Sequence, residues 1–294
     1  MKPKVTIGIC VRNCADYIQE AITSIVAQDF PHGLMELIVV DGYSEDKTLA
    51  IIKENLDKTD LRYRVFYENE GVGRARQIVV DNACGKYIVW VDGDMLLTKD
   101  FVRKQVEFMD NNPDAGIAKG KCGIYDISSL VAYLENVGAL VKLLDERKLS
   151  SEVLGTAGCI YRVKVVRKIG GFDAKLKSGE DEDAEDRIRK AGWSLNVSSA
   201  EHFELRRLTW RALWNEYFWH GFGGHQIFSK VNPHSLLYRM FPPASILTEV
   251  SRSISAYKLS HKKVVFLLPF HWIFKRIAWC FGFARCYFKN SRMA

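Results

Sequence analysis

The chain has 294 residues, 48% hydrophobic and 26% charged, which suits one large α/β domain or two small ones and excludes a disordered polypeptide. The net charge of +7 is uneven: from His202 onward 14 lysines and arginines face 3 acids, whereas 28 face 32 before it, so a mildly acidic body carries a basic, aromatic tail. Seven cysteines, without a CxxC pair or a Cys/His cluster of zinc spacing, argue against a disulfide framework and read as reduced core thiols of a cytosolic protein.

The first residues enter "KVTIGICV" (4–11) directly, so a buried strand and no signal peptide are expected. "NCADYIQEAITSIVAQ" places Tyr17, Ile18, Ala21, Ile22, Ile25 and Val26 at helical spacing, with Asn13 or Asp16 as the expected cap. "MELIVVDG" (35–42) is a second buried strand ending on Asp41, and "SEDKTLAIIKENL" is a helix with Ser44 or Glu45 near its start. "YRVFYEN", "GVGRARQIVVDNA" and "KYIVWVDGDM" continue as strand, helix and strand. This alternation predicts βαβ crossovers and a mainly parallel sheet, whose ligands sit beyond the carboxyl ends of the strands. Asp41, Asp92 and Asp94 fall at such ends.

The helix "TKDFVRKQVEFMDNN", the strand "AGIAKGKCGIYD" and the helical stretch "SLVAYLENVGALVKLLDERK" follow. "GTAGCIYRVKVVRKIGGFD" reads as a small-residue turn, a short strand, a helix and a second turn. "SGEDEDAEDRIRKAGW" is an acidic loop that becomes a helix, and "SLNVSS" is a strand. Beyond about 205 the chain turns aromatic, "YRMFPP" interrupts it, and "VVFLLPFHWIFKRIAWCFGF" (264–283) is apolar but holds Pro269, His271, Lys275 and Arg276. Those residues make it a poor spanning helix and favour one lying in a membrane interface, with an amphipathic helix packed on the domain as the other reading. The expected division is a catalytic domain over 1–205, with a nucleotide half of about 1–97 and an acceptor half of about 98–205. A helical extension over 206–294 follows.

Asp92-Gly93-Asp94 can bring two carboxylates onto one hard cation, which in turn can hold a diphosphate. Asp41 can accept hydrogen bonds from a nucleoside or cap a helix. The glycines and arginines of "NEGVGRARQ", Arg76 among them, can hold an anion at a helix start. Asp181, beside Glu180 at a loop-to-helix junction, can act as a general base, although acids in a first helical turn also simply complement the helix dipole. His202 is a candidate metal ligand as a neutral imidazole. His220 and His225 flank a "GFGG" turn, where they could meet an acceptor or serve as packing residues.

Six blocks in order, "VTIGICVRNCADYIQEAITSIVAQDFP", "ELIVVDGYSEDKT", "NEGVGRARQ", "YIVWVDGDM", "GTAGCIYRVKVVRKIGGFD" and "GEDEDAEDRIRKAGW", resemble the family 2 inverting nucleotide-sugar glycosyltransferases, from about residue 4 to 230. The resemblance implies a Rossmann-like GT-A fold, α/β with a mainly parallel central sheet, to which the residues after 205 add a helical aromatic and basic C-terminal extension. It implies a nucleoside-diphosphate sugar donor, UDP above all, and a Mn2+ or Mg2+ ion. By the same resemblance Val11, Asn13 and Asp41 hold the nucleoside, Asp94 ligates the metal, and Asp92 holds ribose or a metal-bound water. Glu180 and Asp181 match the acidic pair, with Asp181 as base; His202 adds a metal ligand; Gly155, Thr156 and Ala157 line the donor sugar and acceptor.

The chain departs from that pattern in places. Val11 stands where the family usually has proline, Gln77 where it has asparagine, and Leu96 where some polyprenyl-phosphate sugar synthases have a polar ligand. No QxxRW block follows the acidic helix, so single transfers are expected. The basic apolar tail implies a membrane surface on the cytoplasmic face and a glycan or lipid-linked acceptor, rather than nucleic acid. The rival readings are a non-catalytic membrane-associated binding module and a sugar-1-phosphate nucleotidyltransferase. The latter would carry a glycine-rich, arginine-bearing loop where this chain has "CVRNCADY".

Overall fold

A computed structural model describes residues 2–123, 125, 129–143, 155–227 and 242–291. The chain forms two compact units: Met1–Gly123 with Lys148–Leu205, and Ile124–Arg147 with Arg206–Ala294.

The first unit is α/β. Its strands are β1 (Val5–Val11), β2 (Met35–Asp41), β3 (Tyr63–Tyr67), β4 (Tyr87–Val91), β5 (Met95–Leu97), β6 (Ala115–Gly123), β7 (Cys159–Arg162) and β8 (Ser194–Glu204). They form one sheet in the order β3-β2-β1-β4-β7-β6-β8-β5. The β3-β2-β1-β4 half is parallel throughout. β7 runs antiparallel to β4 and β6, β8 is parallel to β6, and β5 is antiparallel to β8. β2, apolar but for Glu36 and Asp41, and the apolar run of β4 are buried along their whole length, as strands covered on both faces must be. Helices α1 (Ile18–Val26), α2 (Thr48–Leu56) and α4 (Phe101–Asn111) cover one face. Helices α3 (Val72–Asn82), α6 (Val163–Lys168) and α7 (Glu180–Lys190) cover the other.

The cap expected at Asn13 or Asp16 is corrected. α1 begins at Ile18 and α2 at Thr48, and neither has a side-chain cap bond. Asn13 and Ser44 bond across to each other's loops instead, because both loops leave the same edge of the sheet.

The second unit is helical: α5 (Leu130–Leu143), α8 (Trp210–Ile227), α9 (Pro242–Ser260) and α10 (Leu268–Ser291). It includes α5, which the sequence suggested for the acceptor half, and the reason is electrostatic as well as apolar. Glu135 of α5, its side chain 9% exposed, meets Lys275 Nζ at 2.6 Å and His271 Nε2 at 3.1 Å, and Tyr133, Leu134 and Val137 pack with Ala256, Val265 and Leu268. Any continuation of α5 past 143, and the interruption expected at "YRMF", lie outside the described residues.

The "GFGG" turn is a correction: residues 221–224 are continuous helix within α8. Gly221 and Gly282 let α8 and α10 approach backbone to backbone, since a Cβ on either would collide with the facing helix's carbonyl at Trp279 or Phe218. His220 packs on Tyr217, and His225 on Phe283 and Tyr287. Lys263–Phe288 is long and apolar enough to cross a membrane, with a mean hydropathy of 1.4 over its most apolar stretch. Phe266, Phe270, Ile277, Phe281 and Phe288 are exposed along it at spacings of four and seven, and Leu247, Val250 and Ile254 are exposed on α9.

Candidate functional site

β1, β2 and β4 end together, with Val11 opposite Asp41 and Ile9 opposite Val91. The loops that follow β1 and β2 are zipped. Gly42 N–H donates to the Val11 carbonyl at 2.8 Å. Asp41, 1% exposed, accepts from the Ser44 N–H at 2.9 Å and the Ser44 hydroxyl at 2.6 Å. Ser44 Oγ accepts the Asn13 N–H, and Asn13 Oδ1 accepts the Glu45 N–H, both at 2.9 Å. Asn13 sits at φ 51°, a left-handed conformation that asparagine tolerates. The predicted nucleoside residues Val11, Asn13 and Asp41 are therefore neighbours, held by their own hydrogen bonds.

The Asp92–Asp94 turn leaves β4 beside them. Met95 N–H donates to the Asp92 carbonyl at 3.2 Å, which closes the turn. Gly93 is required by contact, since a Cβ there would lie 2.9 Å from Cys14 Sγ and 3.2 Å from Val11 Cγ1. The turn is thus pressed against the end of β1. Asp94 is anchored through its backbone, its carbonyl accepting the Leu205 N–H at 2.8 Å.

The small-residue turn lies next to β4. Gly158 N–H donates to the Trp90 carbonyl at 3.2 Å, and Gly155 and Gly158 take φ 72° and 67°. Thr156 is buried and Ala157 packs on the core. Gly155 N–H donates to Glu185 Oε1 at 2.6 Å, which ties the turn to α7. Asp181, in the first turn of α7, accepts the Glu182 N–H at 2.9 Å with Oδ1. Its Oδ2 lies 3.5 Å from the position a Cβ on Gly155 would take. Glu180 points elsewhere, buried in an ion pair with Arg76, whose guanidinium stands 5.9 Å from the Trp90 ring centre. The Arg76 side chain is itself only 11% exposed.

Electrostatics tie these groups together. Burial pushes the Asp92 carboxyl up to about 6; Arg76 opposes the shift, and Asp94, Glu204 and Asp181 add to it. Acids from the turn after β4, from β8 and from α7 therefore act on one carboxyl. Cys10 and Cys14 are pushed up to about 12, chiefly by burial, and stay neutral thiols.

His202 is fully buried on β8. Its ring stands edge-on to Phe101 at 5.9 Å and so close to Gly158 that no Cβ would fit there. The structure adds two residues that the sequence reading passed over. Cys122 faces His202 across the β6/β8 ladder, and Glu204 lies two residues further along β8. The donor atoms of Cys122, His202 and Glu204 all lie within 4.8 Å of one another. The sequence showed no Cys/His cluster because these residues lie on different strands. Not all the cysteines are core thiols either: all seven are free, Cys159 and Cys286 are buried, and Cys84 is exposed. Two carboxylates at the Asp92–Asp94 turn suit a divalent cation, and the raised Asp92 carboxyl reflects burial and neighbouring acids that Arg76 only partly offsets.

Gln77, where an asparagine was expected, has a structural partner. Its Oε1 accepts the Phe172 N–H at 2.8 Å and lies where any Cβ on Gly171 would be, so the "GGFD" turn is moulded onto it.

Known proteins resemble this chain in sequence and in fold. The family model described as glycosyl transferase family 2 matches residues 6–170. The chain is 37% identical over 110 residues to the putative teichuronic acid biosynthesis glycosyltransferase TuaG of Bacillus subtilis, covering 37% of this chain and 42% of that protein. It is 28% identical over 182 residues to the poly(ribitol-phosphate) beta-N-acetylglucosaminyltransferase TarS of Staphylococcus aureus, covering 61% of this chain and 31% of that protein. The chain thus spans less than half the length of either relative. Among solved structures, the mannosyltransferase PcManGT of Pyrobaculum calidifontis, in complex with GDP-Man and Mn2+, superposes with a TM-score of 0.64 at 18% identity, over 94% of this chain and 87% of that one. S. aureus TarS 1–349 in complex with UDP-GlcNAc superposes at 0.54 and 17%, over 98% and 92%. Both likenesses bear on the fold.

Proposed function

Because the chain belongs to glycosyl transferase family 2, we propose that it moves a sugar from a nucleoside-diphosphate donor to an acceptor hydroxyl with inversion at the anomeric carbon. The observation that carries this reading is the clustering, beyond the ends of β1, β2 and β4, of the Asp92–Asp94 turn, the Gly155–Gly158 turn and Asp181. UDP is the favoured nucleotide, in keeping with the TarS complexes with UDP and UDP-GlcNAc.

Val11, Asn13 and Asp41 hold the nucleoside, and Arg76 supplies positive charge beside the diphosphate. Asp92, Asp94 and His202 would hold a divalent ion, in keeping with the Mn2+ of the mannosyltransferase complex. Such an ion offsets the charge of the departing diphosphate. Gly155, Thr156 and Ala157 line the sugar, and the bare Cα of Gly155 leaves room beside Asp181 for a hydroxyl. Asp181 takes the proton of that hydroxyl as it attacks the face opposite the diphosphate. Glu180 keeps Arg76 in place and leaves the proton transfer to its neighbour.

The test is a panel of nucleotide sugars assayed for Mn2+-dependent turnover with wild type and Asp181→Asn. Transfer should fall by about 10²–10⁴-fold in the variant, the usual contribution of a general base, with donor binding and melting temperature retained. Equal rates would remove Asp181 as base.

The second unit supports a membrane role on the cytoplasmic face, with a lipid-linked saccharide as acceptor. An exposed phenylalanine stripe on α10, with Lys258, Lys262, Lys263 and Arg285 in the same unit, suits an anionic interface.

A further inference from the structure

The DxD acids and His202 do not exhaust the donors at this end of the sheet. β8 lies between β6 and β5, and each neighbour brings something to its last residues. β6 runs parallel and sets Cys122 directly opposite His202. β5 runs antiparallel, sets Met95 opposite Glu204, and places the Asp94 carbonyl on the Leu205 amide. Side chains alternate along a strand, so His202 and Glu204 share a face, and a laterally paired residue such as Cys122 joins them there. The imidazole is gripped from behind by Gly158 and from the side by Phe101. Cys122 and Glu204 are only half-buried.

We propose that Cys122 and Glu204 are, with His202, direct ligands of a divalent ion, and that this donor set selects a borderline transition ion such as Zn2+ or Co2+ over Mg2+. A thiolate, an imidazole and a carboxylate form a mixed S/N/O set of the kind Zn2+ takes, whereas Mg2+ demands oxygens in a near-octahedral array. Zinc–ligand bonds of about 2.0–2.3 Å put neighbouring donors roughly 3.5 Å apart, so the present 4.8 Å limit closes with small rotations of Cys122 and Glu204 about the fixed histidine. The inference rests on the reading of this end of the sheet as a metal pocket and does not require sugar transfer.

The test uses the full chain, stripped with a chelator and titrated with Co2+ in the absence of nucleotide. A near-ultraviolet thiolate-to-Co2+ charge-transfer band should grow to one equivalent, be bleached by Zn2+ and survive a large excess of Mg2+. Cys122→Ser should abolish the band and Cys84→Ser should leave it. Glu204→Gln should weaken Co2+ binding by at least about tenfold, since loss of a mere outer-shell partner already costs that much. Should Cys122→Ser fold poorly, iodoacetamide labelling of the wild type gives the same answer: Zn2+ should slow alkylation of Cys122 and Mg2+ should not. No band, a band that persists in Cys122→Ser, displacement by Mg2+ at matched concentration, or alkylation indifferent to Zn2+ would each overturn the assignment. None of these readouts involves a sugar donor, so their failure would leave glycosyl transfer standing, and a donor panel without turnover would leave the band.

Discussion

Arg76 is the positive charge on which the surrounding acids depend. It pairs with buried Glu180 and lowers the Asp92 carboxyl against the pull of burial and three other acids. Replacing it with methionine leaves buried Glu180 without its partner and Asp92 without an offset to its neighbouring acids. Removal of one partner of a buried ion pair typically costs about 3–5 kcal/mol, so Arg76→Met should show a lower urea midpoint with an unchanged slope. Asp92 gives the opposite sign. Its folded-state value of about 6 lies above its ordinary 3.8, so the native state holds that proton more tightly than the unfolded chain does. The resulting stability is fully present below pH 3.8 and is lost as pH rises through about 6. With divalent ions chelated, Asp92→Asn should therefore melt higher than wild type at neutral pH, by up to about 3 kcal/mol. The gain should shrink as pH falls below 6. A gain independent of pH would mean that the side chain acts through packing instead.

Among the elements, the strands were the most legible. "KVTIGICV", "MELIVVD" and "YIVWV" are mostly apolar because both faces of a central parallel sheet are covered, and they are β1, β2 and β4. Helix starts were less legible. Asn13 and Ser44 have the chemistry of caps, yet each found a partner across a loop junction that no local pattern describes. The glycines of α8 misled most, because "GFGG" reads as a turn when taken alone. In the folded unit Gly221 is where α10 crosses at backbone distance, and Gly282 answers it from the other helix. Gly282→Ala would raise intrinsic helix propensity and still force the helices apart. A loss of about 1–3 kcal/mol is expected, the usual cost of overpacking, read as a lower melting temperature despite the better helix former.

For the whole molecule, the uneven charge and the phenylalanine stripe make membrane attachment the property to measure. Full-length protein should sediment with vesicles containing anionic lipid, and less so as salt rises, since the headgroup attraction is screened. Phe270→Ser with Phe281→Ser should release it without altering turnover of a soluble acceptor. If the double variant sediments like wild type, the stripe has another partner.

The sequence by itself determined the class of fold, the order of six short blocks and the acids at the ends of β2 and β4. These depend on periodicity and on residue types close together in the chain. Tertiary structure alone decided which distant groups share a space. It turned Glu180 inward to Arg76 and left Asp181 beside the bare Cα of Gly155. It also brought Cys122 up to His202 and Glu204. The reason is geometric: strand pairing sets lateral neighbours by register, and register between β6 and β8 is fixed by the packing of the entire sheet rather than by anything written near either residue.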